Sequence, residues 1–143
     1  MKIQVIVDKN NEEKIVIYTK EETNLAKQIE KIVNENAFEL LGYKDEEIVK
    51  LTPSQIYCVS VIDNKVWAIL EKEKYLLKHR LYEVQKKLPE NFVKINQSCI
   101  ANIDKINRFD ASFSGTLKLI FKNSYTDYVS RRQLKTVKER IGI

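Results

Sequence analysis

Hydrophobic and polar positions alternate in part over residues 2–7 (KIQVIV), and residues 13–18 (EKIVIY) are β-rich in the same way. Turn-forming Asp8, Lys9, Asn10, Asn11 and Glu12 lie between them, so the spacing predicts a β-hairpin. The period then changes. Leu25, Ile29, Ile32 and Val33 recur at helical spacing, with Thr19 or Thr23 as the cap, Glu21 and Glu22 near the start, and the run 34–36 (NEN) as the end. Residues 38–43 and 45–51 read as two short strands about a turn. The first fifty residues are thus expected to form a small β-β-α-β unit, and residues 51–143 a second part that is mostly β. In that part, strands are predicted over 56–61, 66–70, 75–77, 92–95, 99–101, 103–109, 116–121 and 125–129, with residues 63–65 as a loop. A helix with Leu81, Val84 and Leu88 on one face should stop at Pro89, and Ser130 should cap a last one.

Composition narrows the class. The 143 residues include only three Gly and two Pro, which argues against a long linker or disordered tail. No apolar run is long enough to cross a bilayer, and the N-terminus lacks the apolar core of a secretion signal. Two cysteines, 58 and 99, make neither a disulfide framework nor a metal box, and free thiols fit the cytoplasm. Charge is divided unevenly. Residues 1–50 hold eight basic and eleven acidic side chains, a balance of −3, while residues 51–143 hold seventeen and nine, a balance of +8. The basic part suits a polyanion, although a solvated lysine-rich surface has the same composition.

Enzymatic chemistry finds no support. His79 stands among Lys78, Arg80 and helical leucines with no matched nucleophile or orienting acid, so it reads as a surface helix residue. Cys58 and Cys99 lie in apolar strands, where core packing is the default. No metal, dinucleotide or phosphate-loop motif is present, and no cofactor is expected.

Two segments fit nucleic acid better. In residues 130–141 (SRRQLKTVKERI), Leu134, Val137 and Ile141 share an apolar face, while Arg131, Lys135 and Lys138 share another. The hydroxyl of Ser130, free backbone N–H groups and two arginines would together favour an anion such as a DNA phosphate. A capped, solvated terminal helix is an equal reading of that segment alone. Residues 92–102 (FVKINQSCIAN) place Lys94, Asn96, Gln97 and Ser98 at a strand break. Asn and Gln bond adenine bidentately, and Lys and Ser hold phosphate; a side-chain-stabilised turn is the competing account. Asn102 should tie a turn ahead of Ile103.

Together with residues 56–59, 117–123 (LKLIFKN) and 128–141 (YVSRRQLKTVKERI), residues 92–106 (FVKINQSCIANIDKI) resemble the LytTR-type DNA-binding domain of bacterial transcription regulators. The resemblance covers about residues 51–142, and the first fifty resemble the extension of stand-alone members that lack a receiver domain, so phosphorylation control is not expected. It implies a mostly β (α+β), elongated fold with one short helix and a C-terminal helical turn, whose loops enter the major groove of duplex DNA. By position, Asn64, Lys65, Asn96, Gln97 and Arg132 would face bases, and Lys94, Ser98, Ser130, Arg131 and Lys135 would hold the phosphate backbone. The chain departs from the family at Ser60 (often Glu), Lys94 (Arg), Asn96 (His or Ser), Gln97 (often Lys) and Ala101 (Val), which changes the expected target sequence rather than DNA binding. The resemblance further implies pairing of two chains or tandem binding on DNA and, by analogy, regulation by a neighbouring membrane protein, with no insertion of this chain into a membrane. The competing reading from another class is a ligand- or protein-interaction module whose basic face is only solvation.

Overall fold

Alternation with a period of two sorts the side chains of the central strands onto two buried faces, and those faces decide the layers. The computed structural model describes residues 3–37, 40–111 and 116–142. After helix α1 (Asn24–Ala37) come β1 (Leu40–Lys44), β2 (Glu47–Leu51), β3 (Cys58–Ile62), β4 (Lys65–Ile69), β5 (Lys74–Leu77), helix α2 (Leu81–Lys87), β6 (Phe92–Asn96) and β7 (Cys99–Asn102). Then follow β8 (Ile106–Asp110), β9 (Leu117–Phe121), β10 (Thr126–Val129) and helix α3 (Leu134–Ile141). The first seven strands form one antiparallel sheet in the order β2-β1-β5-β4-β3-β7-β6, and the last three form a second in the order β10-β9-β8. The fold is mostly β, as expected.

One face of the large sheet carries Cys58, Ile69, Val93, Ile95, Cys99 and Ala101 against Leu119, Phe121 and Val129 of the small sheet and Val137 of α3. The alternate residues Val59, Ala68, Phe92 and Ile100 meet Leu40, Leu51, Tyr75 and Val84 of α2 on the other face. β3 lies in mid-sheet with both faces covered, which is why the expected strand 56–61 is apolar at every position but Ser60. Cys58 and Cys99 are buried free thiols, as their sequence context implies. A hydrogen bond with the Cys58 sulfur, and after it burial, pushes the Cys99 thiol up, well above its ordinary range.

The structure corrects several expected elements. The turn at Asp8 forms, with the Asn10 backbone N–H donating to the Asp8 carboxylate at 3.0 Å. The flanking runs 3–7 and 13–18 form no strand, however, and most of their side chains are exposed. An isolated two-stranded hairpin is marginal in water, and among the described elements no strand pairs with either run. The described elements of the first fifty residues are therefore α-β-β rather than β-β-α-β, and their two strands continue the large sheet next to β5. Lys2, within the first expected strand, and Phe38 and Glu39, at the start of another, lie outside the described residues. Helix α1 is capped by Thr23, whose hydroxyl accepts from the Ala26 N–H at 3.2 Å, and it runs past the expected stop to Ala37. Lys65 opens β4 instead of ending a loop, because Asp63 and Asn64, at φ 52° and 63°, make a two-residue turn of the type that matches strand twist. His79 precedes α2 rather than lying in it, with Nδ1 3.6 Å from Glu83 Oε2.

The last correction concerns Ser130. Its N–H donates to the Ile95 carbonyl at 2.8 Å, and its own carbonyl accepts from Gln133 N–H at 3.0 Å. Ser130 therefore starts a turn over residues 130–133, and the helix begins at Leu134 with Gln133 in the cap position. The expected helix cap was displaced because Ser130 is held by the large sheet.

Candidate nucleic-acid interface

Three short connections meet at one end of the large sheet, and their meeting follows from strand register. Ser60 of β3 lies opposite Cys99 of β7, and Val61 N–H donates to the Ser98 carbonyl at 2.8 Å. The Asp63–Asn64 turn therefore leaves the sheet beside the Gln97–Ser98 loop between β6 and β7. The bond from Ser130 N–H to the Ile95 carbonyl brings the 130–133 turn to the same end. Of the ten residues expected to touch DNA, Lys94, Gln97, Ser130 and Arg132 line one shallow depression. Ser98 adjoins it within the Gln97 loop. Asn64 and Lys65 are exposed on the neighbouring turn, Arg131 is exposed beside Arg132, and Lys135 is exposed in the first turn of α3. A fifth lining residue, Gln133, was missed from the sequence. The helical period assigned it to an ordinary helix position; its only signal was its place directly after the two arginines.

Asn96 is held differently from the other expected base readers. Its Nδ2 donates to Asp127 Oδ1 at 3.0 Å and to the Tyr128 carbonyl at 2.7 Å, and its Oδ1 accepts from Ser98 N–H at 2.8 Å. Both amide hydrogens are used across the two sheets, and the oxygen shapes the Gln97–Ser98 loop. A register shift between Lys94 and Asn96 in the pairing of β6 with β7 accompanies this arrangement.

Basic side chains outnumber acidic ones at this end, where Asp63 and Asp127 are the acidic groups. Among the described residues, no ion pair uses Lys94, Arg131, Arg132 or Lys135. Of the nearby Asp127 carboxylate, Oδ1 accepts from Asn96 Nδ2 and from Tyr128 N–H at 2.7 Å. Cations, amides and a hydroxyl are what a polyanion with hydrogen-bonding base edges requires. Behind the loops lies the buried Ser60. Its hydroxyl donates to Cys99 Sγ at 3.4 Å and accepts from Tyr125 Oη at 3.3 Å, so the position is a buried link between the sheets.

Comparison with known proteins bears on the family and the fold. Residues 46–142 match the family described as LytTr DNA-binding domain. A relative from Staphylococcus aureus strain NCTC 8325, described as an uncharacterized HTH-type transcriptional regulator, is 33% identical over 146 residues, covering 100% of this chain and 99% of its own length. A similarly described relative from strain MSSA476 is 34% identical over the same span. A solved LytTr DNA-binding domain from Bacillus cereus shares the fold with a TM-score of 0.69 at 19% identity, over 73% of this chain and 98% of that one. No two described helices of the present chain are consecutive, so they make no helix-turn-helix. With 97 of its residues inside the match and the fold in accord, the chain belongs to the LytTr DNA-binding domain family.

Proposed function

We propose that this protein is a DNA-binding transcription regulator that reads duplex DNA in the major groove through loops, working in the cytoplasm and without a catalytic step. The observation that carries the reading is the gathering of three connections, from β3–β4, β6–β7 and β10–α3, at one cationic sheet end. There Lys94, Gln97, Ser130, Arg132 and Gln133 surround a single depression. Arg132 carries a planar fork suited to guanine O6 and N7, and Gln97 an amide suited to adenine. Asn64 and Lys65 extend the row of base-facing groups. Lys94, Ser98, Ser130, Arg131 and Lys135 hold phosphates and set the register on the duplex. Asn96 belongs to the reading apparatus as the strut between its two loops, because its amide is already bonded within the protein. The interaction-module reading does not account for a depression lined by four of the ten expected DNA contacts, Lys94, Gln97, Ser130 and Arg132. Assembly as a pair or in tandem on DNA, and control by a membrane protein, extend the proposal by family analogy. No described helix is long and apolar enough to cross a membrane.

The test begins with selection of bound duplexes from a random library, followed by competition between the selected site and a scrambled one. Arg132→Ala should lose about 1–3 kcal/mol on the selected site and little on the scrambled one. Equal losses on both duplexes would make Arg132 a phosphate clamp and move the base-reading role elsewhere.

A further inference from the structure

The large sheet is covered unevenly, and one cross-strand row shows where the cover stops. Direct register sets Ile48 of β2, Tyr43 of β1, Leu76 of β5, Trp67 of β4, Ser60 of β3 and Cys99 of β7 side by side, so their side chains share one face. Cys99 is buried in the core shared with the small sheet, Ser60 is buried beside it, and Trp67 packs half-buried against the same core. Beyond Trp67 that cover ends. Leu76 and Tyr43 are half-buried, Ile48 is 64% exposed, and Leu41, two residues before Tyr43 on the same face, is 42% exposed. None of these four belongs to either core cluster, and only the ammonium groups of Lys74 and Lys78 lie over the Trp67 and Tyr43 rings, at 4.5 and 4.1 Å. The opposite face of β1 and β2 is in use, with Leu40, Val49 and Leu51 in the core beneath α2. β2 is also the edge of the sheet, so one side of its backbone meets no described strand.

The chain just ahead of β1 carries the parts that this end lacks. On α1, Leu25, Ile29, Ile32 and Val33 recur at helical spacing, and Leu25, Ile32 and Val33 are 39–55% exposed. The run 13–18 is apolar at successive positions from Ile15 to Tyr18, the composition of a strand covered on both faces. Lengths fit a return within one chain. Residues 38–39 join α1 to β1 and residues 19–23 join the run to α1, both within the roughly 2–6 residues common between strands and helices. The 14 residues of α1 span about 21 Å at ~1.5 Å each, and the run 13–18 spans about 20 Å at roughly 3.3 Å per residue. A helix of that length carries the chain from the end of one strand back to the start of a parallel one. The run 13–18 then lies parallel to β1 and antiparallel to β2, its neighbour, and α1 crosses β2 on the face of Leu41 and Ile48. The short tether favours this seat over the same seat on another copy, because a segment so linked is present at about millimolar effective concentration. We propose that residues 13–37 close onto the β1–β2 end of their own sheet, the run 13–18 pairing with the open edge of β2 and α1 covering Leu41, Tyr43, Ile48 and Leu76. The exposed side chains of the present structure belong to the open arrangement. No group of the cationic loop end takes part, so this inference and the DNA-binding reading fail separately.

Amide hydrogen exchange on the full chain tests the closure, at a concentration where light scattering gives the monomer mass of 16.8 kDa. Amides of 13–18 should exchange at least about tenfold more slowly than in an unstructured chain, which requires a closed population about ten times the open one. Ile48→Glu places a charge on the seat, and Ile32→Glu places one on the helix face, at positions 64% and 55% exposed. Each substitution should return 13–18 to unstructured rates while the amides of β3 and β7 keep their wild-type protection, which shows that the sheet still folds. Unprotected amides over 13–18 in the wild-type monomer overturn the proposal. Protection that survives either substitution overturns it too, since the run is then ordered without this seat. So does protection found only with a mass of twice 16.8 kDa, since the seat then belongs to a second copy.

Discussion

At the scale of single residues, two asparagines separate holding from reading. Asn102 is 1% exposed; its Nδ2 donates to the Ile56 carbonyl at 2.8 Å, and its Oδ1 accepts from Asp104 N–H and from Asn91 Nδ2, both at 3.0 Å. It ties the turn ahead of Ile103, as its position implies. Asn102→Ala leaves a buried carbonyl without its partner, so urea unfolding should show a loss of about 2–4 kcal/mol. Asn96 performs a similar tie at the cationic end, but between two functional loops. If its role is to position them, Asn96→Ala should weaken the contribution of Arg132, and the cycle Asn96→Ala/Arg132→Ala on the selected duplex should show a coupling of about 0.5–3 kcal/mol. Strictly additive losses would instead mean that Asn96 reads a base of its own. The sequence alone could not separate these two roles. An amide at a strand break serves a base edge and a carbonyl equally well, and the partners of Asn96, Asp127 and Tyr128, are some thirty residues away.

At the scale of elements, legibility followed the strength of the local pattern and the presence of a partner. β4, β6 and β9 lie close to where alternation and turn residues place them, because each is covered by a neighbour that rewards its apolar face. The run 13–18 has an equally strong β pattern and forms no strand, because pattern describes what a strand needs and not whether a neighbour is paired with it. The 130–133 turn was misread for a related reason: Ser130 is a good cap by type, but a backbone bond to Ile95 decides its conformation. Gly42 in β1 shows the same dependence on distant contacts. A Cβ there would meet Tyr75 Cβ at 2.6 Å and Leu51 Cδ1 at 2.9 Å, so the hairpin β1–β2 can lie against β5 only with glycine at this point. Gly42→Ala should therefore cost about 1–3 kcal/mol through overpacking, although alanine is ordinarily the better-tolerated residue. A chemical-denaturation midpoint equal to wild type would show that β1 can shift away from Tyr75 without loss.

At the scale of the whole molecule, the two parts of the chain carry opposite charge. The −3 balance is that of residues 1–50, the apolar segment and α1 together with β1 and most of β2, while the +8 balance of residues 51–143 includes every group at the loop end. Counterion release then makes DNA affinity a steep function of salt, with a log–log slope of about −0.9 for each phosphate neutralised. Lys94, Arg131 and Lys135 are each free of described ion pairs and available for one phosphate, so a slope of at least about −2.7 is expected for a scrambled duplex. Removing one of them should change the slope itself: Lys135→Ala should weaken the selected and scrambled duplexes alike and bring the slope about one unit closer to zero. Lys135 is exposed on α3, whose attachment rests on buried Val137, so the substitution leaves the packing of the helix in place. Fluorescence anisotropy across a salt series measures both quantities in one experiment. A Lys135→Ala slope indistinguishable from wild type would take α3 out of the DNA-facing surface and confine phosphate contact to the loops around Lys94 and Arg131.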